Sequence, residues 1–312
     1  MTGQTLSDEE ENALRDVAMG ACIDIRPRLD LGVDEDRAVL AAAEVIAGAL
    51  DDDQVPVATA LRWNHLWTAG ADTLPASLTR SSVRVTSSAG NGAVPLAEHA
   101  MMLMLMLDRD APRALRAQQS AEWDRFRHGE LAGSTLGIIG LGNAGRELAR
   151  RASAFTMRVL GVRNRPEIPV DGVDRIFGPD GLALMLPECD FVVVTAPLTG
   201  KTRGLMGEAQ FKAMKSSAYY VCVSRGAVAD QPALLRALEE RWIAGAALDA
   251  HDVEPLPADS PFWSLPGVIV TPHHGATTWR TPHRGFEIFL GNLRRYLAGR
   301  ELVNVIDRAA GY

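Results

Sequence analysis

The 312-residue chain holds only three cysteines, Cys22, Cys189 and Cys222, odd in number and widely spaced. That pattern suits a reducing compartment, shows no zinc spacing and gives no expectation of a metal. Long hydrophobic runs are also missing. The longest apolar block, AMMLMLML at 100–107, falls far short of the roughly 20 residues that a membrane-spanning helix requires. Basic residues are in deficit: 32 Lys and Arg face 39 Asp and Glu, for a formal net charge of −7. No cluster of cations is present to neutralise a phosphate backbone, so nucleic acid is not an expected partner. The opening MTGQTLSDEEENAL is acidic where a secretory signal is basic and then apolar. No repeat or low-complexity tract occurs. The expectation is a cytoplasmic protein acting on a small molecule, with no membrane partner.

What is present points to an α/β architecture. With 47% hydrophobic and 23% charged residues, the chain is long and apolar enough for two globular domains. From Thr135 onward, the apolar runs TLGIIG, MRVLGV, DFVVVTAP, AYYVCVS, IAGAALD and VIVTP alternate with the helical patterns RELARRASAF, DGLALML, EAQFKAM and QPALLRALEE. Unbroken apolar runs between helices are the mark of parallel strands covered on both faces, hence of a doubly wound sheet. The first ninety-odd residues repeat the alternation more weakly, with candidate strands at ACIDI, AEVIAG, LRWNHLW and VRVTS. No strand precedes SDEEENALRDVA, which leaves open whether this smaller unit lacks an edge strand. The stretch 95–120, apolar on nearly every side at first, reads as a helix crossing between the domains and covered by a partner subunit.

GLGNAG, comprising Gly140, Gly142, Asn143, Ala144 and Gly145 with Leu141, stands directly between a strand and a helix. Glycines there permit a tight turn, close approach of backbone to pyrophosphate and packing of helix on strand. Counting on from the last glycine, 163 − 145 = 18 residues lead to GVRNRPE, with Arg163, Asn164 and Arg165 where such folds place a carboxylate. A carboxylate would accept hydrogen bonds from the adenosine ribose and repel a 2′-phosphate; guanidinium groups do the reverse. The expected cofactor is therefore NADP(H) in preference to NAD(H).

Polar residues then fall just after successive strands: Arg225 in YVCVSRGAVAD, Asp249 and Glu254 in GAALDAHDVEPLP, His273 in VIVTPHHGATT. The ligand crevice of an open parallel sheet lies outside the carboxyl ends of its strands, which puts all of them in one region. A reaction that builds negative charge on a carbonyl oxygen needs a cation and a proton donor to converge there, and these residue types could supply both.

These motifs, with TAGAD (68–72), PLAEH, APLTGKTRGLM and NLRRYLAG, resemble those of the D-isomer-specific 2-hydroxyacid dehydrogenases over most of the chain. The resemblance implies two Rossmann-like domains: a dinucleotide-binding domain at 97–283, and a flavodoxin-like substrate domain formed from 1–96 and 284–312. It implies that Arg225 binds the substrate carboxylate, that His273 transfers the proton and that Glu254 pairs with His273. Gly70 and Ala71 would offer backbone N–H groups to the substrate. Pro197, Thr202, Val223, Ser224, Arg225, Asp249, His273 and Gly275 would line the nicotinamide end. A homodimer is expected by the same likeness. The double arginine and the general pattern lean toward the glyoxylate and hydroxypyruvate reductase branch, and with no added regulatory domain seen at the C-terminus a phosphoglycerate dehydrogenase is the lesser expectation. An alternative from another class is a dinucleotide-sensing scaffold or corepressor-like protein, which retains the same three polar residues.

Three positions depart from the family pattern: Ala144 replaces a branched aliphatic, Cys222 an Asn, and His251 an aromatic residue. For His251, packing and substrate contact are both open. His274 adjoins the expected acid, while His65, His99, His128 and His283 read as structural. Trp279 is a candidate wall of the substrate pocket, with core packing as the alternative.

Overall fold

A computed structural model of the chain describes residues 6–18, 20–26, 29–71 and 74–308. The chain divides into two compact units, one formed by 1–91 with 278–312 and the other by 92–277. These boundaries fall five and six residues before the expected ones, because the helix beginning at Ala93 belongs whole to the larger unit.

The smaller unit begins with α1 (Asp8–Ala18), α2 (Asp34–Ala42), β1 (Val45–Ala47), β2 (Trp63–Leu66), α3 (Ala76–Arg80) and β3 (Arg84–Ser87). Its three strands pair in parallel in the order β1-β2-β3. ACIDI, expected as a strand, is not one. Cys22 and Ile25 are exposed, and the adjacent Arg26 ties Asp24 to Glu35 and Asp36 of α2, so ion pairing and not a ladder fixes this segment.

The larger unit runs through α4 (Ala93–Asp108), α5 (Ala111–Gln119), β4 (Thr135–Ile139), α6 (Asn143–Ala154), β5 (Arg158–Val162), β6 (Arg175–Phe177), α7 (Leu182–Met185), β7 (Phe191–Val194), α8 (Glu208–Ala213), β8 (Tyr219–Cys222), α9 (Gln231–Glu239), β9 (Gly245–Leu248) and β10 (Val268–Val270). α10 (Arg280–Leu297) returns to the smaller unit, where Phe289 and Tyr296 pack on Trp63. The stretch 95–120 thus forms two helices inside one unit and does not cross between domains. Asp110 breaks it, adopting φ +45 and capping α5 by accepting from the N–H of Arg113.

Seven parallel strands form the larger sheet in the order β10-β9-β8-β7-β4-β5-β6. Successive residues of one strand serve opposite cores, as the pleat demands. Val192 and Val194 join Phe211 and Leu234 on one face, while Phe191 and Val193 join Leu103 and Leu148 of α4 and α6 on the other. This double burial explains why the strands are apolar without interruption. β6, absent from the expected strands, is a three-residue edge strand with only Phe177 buried, too short to show a period. Strand order reverses at β4, which places a crevice where β4 and β7 diverge at their carboxyl ends. Among the described residues no helix is long and apolar enough to cross a membrane.

Candidate active site

After β4 the chain turns at Gly140 with φ +102, in the left-handed region that favours glycine. A Cβ on Gly140 would lie 2.6 Å from the Ala196 backbone, and one on Gly145 only 2.1 Å from the Gly140 carbonyl oxygen. Neither site admits a side chain. Gly142 differs, for a Cβ there would meet nothing within 4 Å. That open cradle adjoins the first turn of α6, which Asn143, Ala144 and Gly145 begin and whose N–H groups lack intrahelical acceptors. A pyrophosphate fits both the space and the donors. Loss of the branched side chain at Ala144 leaves this geometry whole.

At the end of β5, Arg163 donates its backbone N–H to Phe177, and its guanidinium meets only the Ile168 carbonyl, 3.5 Å away. Arg165 is exposed, as is Asn164 between the two. Among the described residues neither arginine forms an ion pair. Two uncompensated cations therefore stand at the strand end where an adenosine ribose would lie.

The chemistry gathers at the ends of β8, β9 and β10. His273 follows β10 with φ +50, an uncommon conformation for a side-chain-bearing residue, and its Nδ1 lies 2.8 Å from Glu254 Oε2. The other oxygen, Oε1, accepts the N–H of His251 at 2.8 Å. Partial burial pushes the Glu254 pKa up, but that N–H and the imidazole outweigh it and hold the carboxyl below its ordinary value. With Nδ1 engaged, Nε2 of His273 is the nitrogen left to face a ligand. Arg225 sits on the turn after β8, its guanidinium 2.9 Å from the Ser224 carbonyl. That turn is locked to the Glu254 segment, since a Cβ on Gly226 would lie 2.1 Å from the His251 carbonyl carbon. Cys222 replaces the expected amide with a thiol that points to the Arg225 carbonyl at 3.4 Å.

Asp249 has no exposed surface. Its Oδ1 accepts from the Thr271 hydroxyl at 2.6 Å and the His274 N–H at 3.1 Å, while Oδ2 accepts the Gly275 N–H at 3.0 Å. His99 of α4 reaches Oδ1 at 3.3 Å. Burial pushes this carboxyl's pKa up, but His99, Thr271 and the Gly275 N–H overcome it and depress it well below the usual carboxylate range. In this structure Asp249 anchors the turn that carries His273. Sequence reasoning missed Thr271 and gave His99 only a general structural role. The hydroxyl and the imidazole become informative only once β10 and α4 are brought beside β9. His99, Asp249 and His274 present donors within 4.8 Å of one another, the one such group among the described residues.

The remaining expected residues are placed less pointedly. Val223 is buried, and Ser224 Oγ is buried beside the Cys222 thiol. The Thr202 hydroxyl donates to the Pro197 carbonyl at 2.6 Å, closing the loop after β7. Gly70 and Ala71 lie in the smaller unit, where Thr68 donates to the Gly70 carbonyl; Asp72, the last residue of TAGAD, is outside the described residues. Trp279 is 98% exposed, which removes the core-packing alternative. His251 is 7% exposed, in keeping with a packing role.

The family model for the NAD-binding domain of D-isomer specific 2-hydroxyacid dehydrogenases matches residues 101–275. The chain belongs to that family. A glyoxylate reductase of Korarchaeum cryptofilum is 32% identical over 278 residues, covering 86% of this chain and 82% of its own. A D-3-phosphoglycerate dehydrogenase of Methanocaldococcus jannaschii is 36% identical over 236 residues, 73% of this chain; the match spans only 44% of that relative's length. Among solved structures, a D-isomer specific 2-hydroxyacid dehydrogenase from Xanthobacter autotrophicus, in complex with NADPH and MES, superposes with a TM-score of 0.85 at 28% identity, covering 100% of this chain and 98% of that one. An NADPH-dependent glyoxylate/hydroxypyruvate reductase from Sinorhizobium meliloti, in complex with NADP and sulfate, gives 0.77 at 27% identity, covering 97% and 96%.

The depressed pKa of Asp249 has a sign that can be tested. Its folded value lies below the unfolded value of about 3.9, so its stabilisation is complete well above that pH and is lost as pH falls through the folded value. Asp249→Asn should cost about 1–3 kcal/mol in urea denaturation at pH 7. Its deficit should narrow below pH of about 3, and a deficit independent of pH would show that the ionised form is not what the turn requires.

Proposed function

We propose that the chain is an NADPH-dependent reductase of small 2-oxo acids, of the glyoxylate and hydroxypyruvate type. The observation that carries this reading is the His273–Glu254 pair at 2.8 Å, set at the carboxyl ends of a parallel sheet that also ends in Arg225. The nicotinamide, when bound, supplies the hydride for C2 of the oxo acid. Arg225 holds the substrate carboxylate with two parallel hydrogen bonds and draws electron density from the ketone. His273 delivers the proton from Nε2 to the carbonyl oxygen, while Glu254 at Nδ1 orients the ring and stabilises its charged form. Gly70 and Ala71 supply backbone N–H groups to the carboxylate. The glycine turn takes the pyrophosphate, and Arg163 and Arg165 grip the 2′-phosphate. Absence of a carboxylate partner for either arginine supports NADPH, as do the NADPH and NADP named with the two solved relatives. Reduction in the cytoplasm suits that cofactor.

The acting form we propose is a homodimer. A groove of about 480 Å³ on the larger unit is lined by Met101, Met102, Leu105, Met106 and Phe155. Beside it α5 buries none of its residues, and Leu115 is 53% exposed. Covering this surface with a second copy would remove apolar area that a monomer leaves in water.

A spectrophotometric panel of glyoxylate, hydroxypyruvate, pyruvate and phenylpyruvate, each with NADPH and NADH, tests the activity. Oxidation of NADPH with the two smallest polar substrates is expected; silence across the panel with dinucleotide still bound would favour the sensing-scaffold alternative. Replacing Arg163 and Arg165 with Ala should weaken NADPH by about 1.5–3 kcal/mol per lost charged hydrogen bond and leave NADH nearly unchanged. Equal losses would remove them from the 2′-phosphate. Sedimentation of the wild type should give a dimer and that of Met102→Glu a monomer; a monomeric wild type would overturn the assembly.

A further inference from the structure

We infer that His251 is a positioning residue for the proton-transfer pair, holding both His273 and Glu254 from one point; the inference rests on the function proposed above. His251 follows β9 by three residues and is 7% exposed, so its ring is almost wholly packed against protein. Its main chain and its side chain work on different partners. The backbone N–H donates to Glu254 Oε1 at 2.8 Å, leaving Oε2 for His273. The ring Nε2 lies 3.0 Å from the Thr271 carbonyl oxygen. A carbonyl only accepts, so Nε2 carries the proton, and among the described residues the buried Nδ1 has no partner to compete for it.

Thr271 lies two residues before His273. Fixing its carbonyl fixes the start of the turn in which His273 adopts φ +50, and the Asp249 carboxylate holds the far side through the N–H groups of His274 and Gly275. The His251 backbone is also the surface against which Gly226 packs, one residue beyond Arg225. The three segments bearing Arg225, Glu254 and His273 therefore take their register from this residue. An aromatic ring of similar size would fill the same volume but would leave the Thr271 carbonyl without its donor. The imidazole N–H is thus the part of His251 that does the positioning.

The test compares His251→Phe, which keeps a flat ring and removes the donor, with His251→Gln, whose side-chain N–H can reach the place of Nε2. His251→Phe should lower kcat for reduction of whichever 2-oxo acid the wild type accepts by about 30-fold, as expected for sub-ångström misplacement of a reacting group. KM and NADPH affinity should stay within about 2-fold, and His251→Gln should recover to within about 3-fold of wild type, since it restores the donor. Unchanged kcat in His251→Phe would overturn the inference, and so would equal losses in the Phe and Gln variants. If the wild type reduces no 2-oxo acid, the functional reading fails but the positioning role is still decided by amide hydrogen exchange. Exchange at His274 and Gly275 about 10-fold faster in His251→Phe than in His251→Gln, with β4 and β5 unaffected, supports it; identical exchange overturns it.

Discussion

Asp249 keeps a carboxylate entirely out of water, and the local structure follows from the donors that make this tolerable. An uncompensated buried charge would be severely unfavourable, so each oxygen must meet a hydrogen bond of good geometry. Thr271, His274 and Gly275 supply these from one short turn, and His99 adds an imidazole from α4. The same bonds hold His273 in a left-handed conformation that the isolated chain would seldom adopt. A local cost at His273 is thereby offset by interactions made through its neighbours. The parallel sheet is what makes this possible, because it delivers β8, β9 and β10 side by side with their carboxyl ends together.

The distribution of charge follows a related logic. The chain carries a net −7, yet its two arginines after β5 stand without carboxylate partners. Several other guanidinium groups are paired: Arg26 with three acids, Arg113 with Asp124, Arg151 with Glu98 and Glu147. Two neighbouring cations without carboxylate partners raise the local positive potential of an acidic protein, a setting that favours an anion.

Much of this was legible in the sequence, for specific reasons. Strands buried on both faces announce themselves as unbroken apolar runs, and the glycine turn is marked because close approaches force Gly140 and Gly145, while Gly142 leaves open space. Arg225, Glu254 and His273 could be nominated because ligand crevices lie at strand ends. Features resting on contacts between distant segments were not legible. β6 is too short to show a period, and ACIDI has strand-like composition but is tethered by Arg26 instead. The 95–120 stretch reads as one helix, since the break comes from a single residue at φ +45, Asp110. Thr271 and His251 carry no motif of their own, and their roles exist only once β9 and β10 are adjacent.

The central claim is that His273, held by Glu254, gives up the proton that accompanies hydride transfer. Single-turnover stopped-flow of the NADPH-loaded protein with an accepted 2-oxo acid tests it most directly, comparing wild type with His273→Ala. The account predicts NADPH affinity within about 2-fold and hydride transfer slower by about 10²–10⁴-fold, the range for loss of a positioned general acid. Hydride transfer in the variant within about 3-fold of wild type would contradict it, because no group worth that factor would then have been removed.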